Sequence, residues 1–185
     1  MPELPEVETV CRSLRPHLLG RTINRVRVLE PRLRVRVNEK ALESLAGKRI
    51  ETITRVAKYI VLNLSGDAVW LFHLGMSGKL ICVAATEARR KHDHIIVALD
   101  SGAELRYHDP RRFGLSLVAR KDGLFELPQL RRVGVDPFDA ALDAGYLFRF
   151  TRASGRRIRD LLLDQQIIAG LGNIYANEIL SLAGI

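Results

Sequence analysis

The chain has 185 residues, with 29 Lys+Arg against 21 Asp+Glu and a net charge of +8, and its isoelectric point is about 10.0. This length admits one domain, or one domain plus part of another. The 47% hydrophobic content and mean hydropathy of +0.01 suit a soluble globular chain and argue against a disordered or membrane-embedded one. The basic balance favours polyanionic partners, nucleic acid first. No apolar run reaches the roughly 18 residues of a membrane span, and the N-terminus lacks signal-peptide character. The chain is therefore expected in the cytoplasm, nucleoid-associated, with no membrane partner.

From Pro5 to Leu18 the residues Val7, Val10, Cys11, Leu14 and Leu18 recur at three- and four-residue spacing, which predicts a helix with one buried face, ended by Gly20. Period-two segments follow. Thr22–Glu30, Arg34–Val37, Lys48–Arg55, Tyr59–Leu64, Ala68–Leu74, Lys79–Ala84, His94–Asp100, Ala103–His108 and Leu115–Ala119 read as strands. Gly66-Asp67 and Ser101-Gly102 are hairpin-turn signals. The expected fold class is α+β: an N-terminal helix with an antiparallel β-sandwich of about eight strands, then a helical segment. Residues 1–135 form the sandwich domain in this scheme, 136–150 a linker and first helix (patterned from Ala140 to Phe150), and 151–185 a further helical segment. That last part contains helices at Arg156–Leu163 and Asn173–Leu182, joined by a Gly-containing turn at Asp164–Gly172. Its helices are too few to bury a core alone, so they should pack on the sandwich or belong to a second domain.

Several short stretches carry chemistry. The chain opens Met-Pro-Glu-Leu-Pro-Glu-Val-Glu. Once Met1 is removed, Pro2 presents a secondary α-amine whose pKa, about 7.7–8.0, leaves part of it an uncharged nucleophile at neutral pH. Such an amine attacking a sugar aldehyde carbon gives an iminium, an electron sink. Equally, Pro2 and Pro5 can start a helix whose dipole Glu3, Glu6 and Glu8 complement. Lys58 heads an apolar strand, either as a solvated end or facing Pro2 and Glu3. His73–Gly78 and Asp109–Gly114 place Met76 and Phe113 on turns, the second beside Arg111 and Arg112. Exposed apolar tips with basic neighbours suit a wedge that fills the gap left by a flipped base; ordinary hairpin loops are the alternative. Lys91-His92-Asp93-His94 has two-ligand metal spacing without a third, so a phosphate contact or strand-end pair fits better. Asn173, after the basic run Arg149, Arg152, Arg156, Arg157 and Arg159, stands where it could cap a helix whose amides bind phosphate. The two cysteines, Cys11 and Cys82, read as reduced core residues.

Met1–Val10, Ala57-Lys58-Tyr59, His73–Gly78, Lys91–His94, Asp109–Gly114 and Gly170–Glu178 stand together in an order that resembles bacterial formamidopyrimidine-DNA glycosylase (Fpg). The resemblance covers the whole chain and corresponds to the family's N-terminal two-thirds. It implies a bifunctional glycosylase and abasic-site lyase of base-excision repair. The implied substrates are 8-oxoguanine and formamidopyrimidines in duplex DNA, followed by β- and δ-elimination to a one-nucleotide gap. By resemblance Pro2 is the Schiff-base nucleophile, Glu3 the acid/base at the opening sugar, and Lys58 the assisting lysine. Met76, Arg111 and Phe113 resemble the void-filling triad. His73, His92, Arg159 and Asn173 resemble phosphate contacts, with Arg159 standing where many members have lysine, a change of hydrogen-bond geometry. The last helices would be part of a helix-two-turn-helix. The family's C-terminal four-cysteine zinc finger, holding one zinc, and its lesion-capping loop have no counterpart in these residues, so no cofactor is expected of this chain. The expected partner is duplex DNA with oxidised purines or abasic sites, bound by a monomer. A DNA-binding remnant without turnover and an endonuclease VIII-like enzyme acting on oxidised pyrimidines are the alternatives. The Pro-Glu-Leu-Pro-Glu-Val-Glu opening and the Asp109–Gly114 loop favour the Fpg branch.

Overall fold

The computed structural model describes residues 1–185. Helix α1 spans Leu4–Leu18 and buries Leu4, Val7, Cys11, Leu14 and Leu18. This is the stripe an amphipathic helix needs to seat one face. After it the chain turns away at Gly20, whose φ of +75° suits a residue without Cβ.

The strands are β1 (Ile23–Val28), β2 (Ile50–Val56), β3 (Tyr59–Leu64), β4 (Ala68–His73), β5 (Lys79–Ala84), β6 (Asp93–Leu99), β7 (Ala103–His108) and β8 (Leu115–Arg120). They form two antiparallel four-stranded sheets, ordered β1-β6-β7-β5 and β2-β3-β4-β8. Trp70, Phe72, Tyr107, Ile53 and Ile95 share one core with the buried face of α1. Strand β4 is buried at every position. Its Trp70 and Phe72 face that core, while Val69 and Leu71 pack with Leu124 and Leu130 on the other side. A strand covered on both faces has no reason to alternate polar and apolar residues, and Ala-Val-Trp-Leu-Phe-His does not.

Arg34–Val37 is not a strand. Leu33 and Val37 are buried, and both their amides donate to the Pro31 carbonyl. A four-residue alternation here marks a loop that drops two side chains into the core. A short helix that the apolar pattern does not reveal, α2 (Glu39–Glu43), follows; Asn38 caps it by accepting from the Ala41 amide at 3.2 Å.

In the C-terminal part, α3 spans Ala144–Arg152, α4 Ile158–Leu163 and α5 Asn173–Ala183. Helix α3 starts later than Ala140 because Asp143 is its cap, accepting from the Tyr146 amide at 2.6 Å. Contrary to the expectation from its length, this segment closes a small core of its own, built on Leu161, Leu162, Ile167, Ile168, Leu171 and Ala176. It is also tied to the rest of the chain. Val135 bridges Ile168 in parallel fashion, and the Leu4 amide donates to the Gly170 carbonyl at 3.0 Å.

Candidate active site

The junction between α1 and the helical segment is built around Glu3. Its amide donates to Glu6 Oε2 at 2.8 Å, and its own carboxylate reaches the start of α5. Oε2 accepts from the amides of Gly172 at 2.8 Å and Tyr175 at 3.2 Å, and Oε1 from that of Ile174 at 2.9 Å. The first amides of a helix have no intrahelical acceptors and carry its positive dipole end. Here a carboxylate from the chain's N-terminus satisfies them. The fit requires glycine: a Cβ on Gly172 would overlap the Glu3 carboxyl group, and one on Gly170 would lie 2.7 Å from Leu4 Cδ1. Glu3 is buried although ionisable, which such a set of donors makes tolerable.

Lys58 sits in the two-residue turn between β2 and β3, closed by the Val56–Tyr59 pair. It is buried. Burial pushes its ammonium below the usual lysine range, and the Glu3 carboxylate pulls it partly back. Glu3, Lys58, Met1, Gln165 and Asn173 are among the walls of one cleft of about 350 Å³. Pro2 lies next door, lining a cleft of about 400 Å³ with Glu6, Val10, Met76 and Ser77. Met1 is half exposed, so its removal would uncover the Pro2 nitrogen between these two spaces.

The two tips are held together by Asp109, which is fully buried. Its Oδ1 accepts from the Ser77 hydroxyl at 2.7 Å and its Oδ2 from the Gly114 amide at 2.9 Å. The Ser77 oxygen also accepts from the Arg111 amide at 3.2 Å, and the Tyr107 hydroxyl donates to the His73 carbonyl at 2.9 Å. On this clasp Met76 and Phe113 stand 48% and 46% exposed. The Arg111 guanidinium lies 4.6 Å over the Phe113 ring.

The histidines divide by role. His73 is buried, its ring tilted 55° against that of Tyr59 with centroids 4.9 Å apart, and its Nδ1 accepts from the Gly75 amide at 3.0 Å. Burial, with Arg34 and Lys58 nearby, lowers it to about 4. The ring is thus neutral at pH 7 and carries its proton on Nε2, a donor at a cleft shared with Met1, Arg34, Met76 and Phe113. His94 turns inward and bonds the Asp109 carbonyl through Nε2 at 2.8 Å. Asp93 pairs with His108 at 2.9 Å. The His92 ring remains partly exposed, in a cleft with Lys91, His94, Pro110 and Arg112.

Asn173 does not cap α5. Gly172 is the N-cap residue, and Glu3 takes up the first amides of the helix, which leaves them closed to a phosphate. The Asn173 side-chain oxygen instead accepts from Arg159 at 2.9 Å, and Arg159 also donates to Asn177 at 2.9 Å. This fixes the guanidinium at the start of α5, with the Asn173 side-chain oxygen, not its NH2 group, engaged. Arg156 is engaged by Asp164 at 2.8 Å. Sequence motifs missed Asp109 as the clasp and Gln165 as a staple. The Gln165 side chain donates to the Leu163 and Leu171 carbonyls and accepts from the Gly170 amide. A charged residue directly before proline, in a turn that ends on Gly114, is the only local hint at Asp109. Cys82 is only half-buried, while Cys11 is enclosed in α1. The two cysteines lie on different elements, α1 and β5, and no three potential metal ligands gather.

Two family models match the chain. One describes the formamidopyrimidine-DNA glycosylase N-terminal domain, over residues 1–116, and the other the H2TH domain of the same enzyme, over residues 133–185. Among curated relatives, formamidopyrimidine-DNA glycosylase of Hahella chejuensis is 45% identical over 185 residues, covering all of this chain and 68% of the relative. That of Halorhodospira halophila is 44% identical over 189 residues, with the same coverage. Among solved structures, a complex of Lactococcus lactis Fpg with DNA containing an abasic site superposes with a TM-score of 0.91 at 34% identity, covering 99% of this chain and 67% of that one. A complex of MutM with DNA containing carbocyclic 8-oxo-G does so with the same score and identity, covering 100% of this chain and 68% of that one.

Proposed function

The chain belongs to the formamidopyrimidine-DNA glycosylase family, and from that membership we propose how its own residues remove oxidised purines from duplex DNA. Pro2, freed of Met1, attacks C1′ of the damaged nucleotide. The new C1′–N bond forms as the glycosidic bond breaks, and the base leaves with that electron pair and gains a proton. The sugar then opens: the attached Pro2 nitrogen gives up its N–H proton to Glu3, its freed lone pair forms the iminium as the C1′–O4′ bond breaks, and Glu3 passes the proton on to O4′. Its positive charge acidifies the C2′ hydrogen. Loss of that proton expels the 3′-phosphate, and a second elimination expels the 5′-phosphate, leaving a one-nucleotide gap.

Lys58, which lines the same cleft as Glu3, offers its charge to the lesion phosphate and keeps the Pro2 amine from holding its proton. Met76, Arg111 and Phe113 enter the duplex where the flipped nucleotide was. His73, His92, Arg159 and Asn173 hold the flanking phosphates by donated hydrogen bonds. No helix of the chain is long and apolar enough to cross a membrane; with duplex DNA as partner, the protein works in the cytoplasm, at the nucleoid.

The observation that carries this mechanism is the seating of the Glu3 carboxylate on the α5 amides, beside Pro2 and in one cleft with Lys58. Borohydride trapping tests it, with one duplex containing 8-oxoguanine and one an abasic site. An adduct that disappears in Pro2→Gly, or when Met1 is retained, identifies the N-terminal amine as the nucleophile. Trapping on the abasic duplex alone restricts this chain to the lyase steps. A folded chain that traps neither would refute the mechanism and leave DNA binding only.

A further inference from the structure

Arg55, near the end of β2, has no part in the chemistry above, yet its placement is costly. Its side chain is 11% exposed. Nη1 donates both to the Ala57 carbonyl at 3.0 Å and to Asp136 Oδ2 at 2.8 Å. Nε is buried with no hydrogen-bond partner, and Glu8 Oε2 stands 3.7 Å from it, an ion pair too long to be a hydrogen bond. An enclosed cation with one unmatched donor is a poor device for stability alone, since apolar replacements of buried ion pairs are often as stable.

What the guanidinium touches suggests another purpose. Ala57 stands at φ +52°, a left-handed conformation that an alanine keeps only under constraint, and it immediately precedes Lys58 in the turn. Asp136 follows Val135, which bridges Ile168 in the helical segment, and its Oδ1 accepts from the Phe138 amide at 3.1 Å. Glu8 belongs to α1, the helix that opens beside Glu3. One cation therefore joins the turn that carries Lys58, the linker to the segment whose α5 holds Glu3, and α1 itself.

We propose that Arg55 is a positioning residue of the lyase reaction: it pins the strained Ala57–Lys58 turn to Asp136, so that the Lys58 ammonium stays on the Glu3 side of the cleft. This rests on the role given to Lys58 above. It also makes the lysine's position depend on the docking of the helical segment through the linker.

The test is a double-mutant cycle in single-turnover trapping on the abasic duplex, with duplex affinity followed by fluorescence anisotropy. Misplacing a reacting group by an ångström slows chemistry on the order of 100-fold. Arg55→Met should therefore slow trapping by roughly 10- to 100-fold while Lys58 is present. In a Lys58→Met background it should slow it by less than about twofold, because the group it positions is gone. Duplex affinity should fall far less than trapping while Lys58 is present, through its phosphate contact, and should not change further in the Lys58→Met background. Asp136→Asn should follow the same pattern with a smaller loss, and it decides the question if Arg55→Met does not fold. Equal slowing in both backgrounds would make Arg55 a general support of the fold and overturn the proposal, as would an unslowed Arg55→Met. A Lys58→Met chain as fast as wild type would remove the lysine's role, and the proposal with it. Absence of trapping by the wild type would instead refute the mechanism itself.

Discussion

Gly172→Ala separates the seating of Glu3 from every other feature of the site. The backbone at Gly172, with φ −133°, is open to any residue, so the substitution carries no backbone strain. Its Cβ, however, would overlap the Glu3 carboxyl carbon and lie 2.8 Å from Cγ. Either the carboxylate leaves the amides of Gly172, Ile174 and Tyr175, or the start of α5 moves off it. Hydrogen bonds to a charged acceptor contribute about 1.5–3 kcal/mol each. A displaced carboxylate recovers part of this from water, so the expected net loss is about 2–4 kcal/mol. For a chain of this size that lowers Tm by about 5–15 °C. Movement of Glu3 by an ångström should also slow trapping on the abasic duplex on the order of 100-fold. Calorimetry and single-turnover trapping read the two effects. Because the clash is with the Glu3 side chain, Gly172→Ala should cost little further stability in a Glu3→Ala background. A Gly172→Ala chain that melts within about 1 °C of wild type and traps at the wild-type rate would refute this account of the junction.

Acid stability should depend on His73. The unfolded chain takes up that proton near pH 6.5, whereas folded His73 resists until about pH 4. Stability should accordingly fall by about 2–4 kcal/mol as pH drops through this window, and level off below it; urea unfolding of His73→Asn should show a flatter profile between pH 7 and pH 4. Asp109→Asn keeps the shape of the clasp but turns one acceptor into a donor facing the Gly114 amide or the Ser77 hydroxyl. It should cost about 1–3 kcal/mol in urea unfolding, and a stability equal to wild type would deny Asp109 its role. Met76→Ala with Phe113→Ala should slow release of 8-oxoguanine about 10-fold or more, since base flipping costs a few kcal/mol that the wedge offsets. Trapping on the abasic duplex, where no base must be extruded, should change far less; equal losses on both duplexes would rule the wedge out.

Much of this protein is written locally. The three- and four-residue spacing from Pro5 to Leu18 specifies α1 and its buried face, and short apolar stretches joined by the turn signals Gly66-Asp67 and Ser101-Gly102 specify paired strands. Pro2, Glu3, Lys58, Met76 and Phe113 are visible as motifs because their chemistry depends on residue type and near neighbours. Local periodicity reports that a face is buried, though not against what, and so Arg34–Val37 imitates a strand. Which partner meets which group was left to the tertiary structure. Asn173 has the ordinary chemistry of a helix cap, yet the α5 amides are taken by a carboxylate 169 residues away in sequence, because Gly172 leaves room for it and Asn173 is held by Arg159. Likewise His73 and His94 look alike in the chain, and only their surroundings make one a neutral donor at the cleft and the other a brace for the Asp109 loop. Residue type sets what each side chain is able to donate, accept or bury. The long-range packing of α1 and the sandwich against the helical segment decides which of those capacities is used, since a hydrogen bond needs its partner within about 3 Å and correctly oriented.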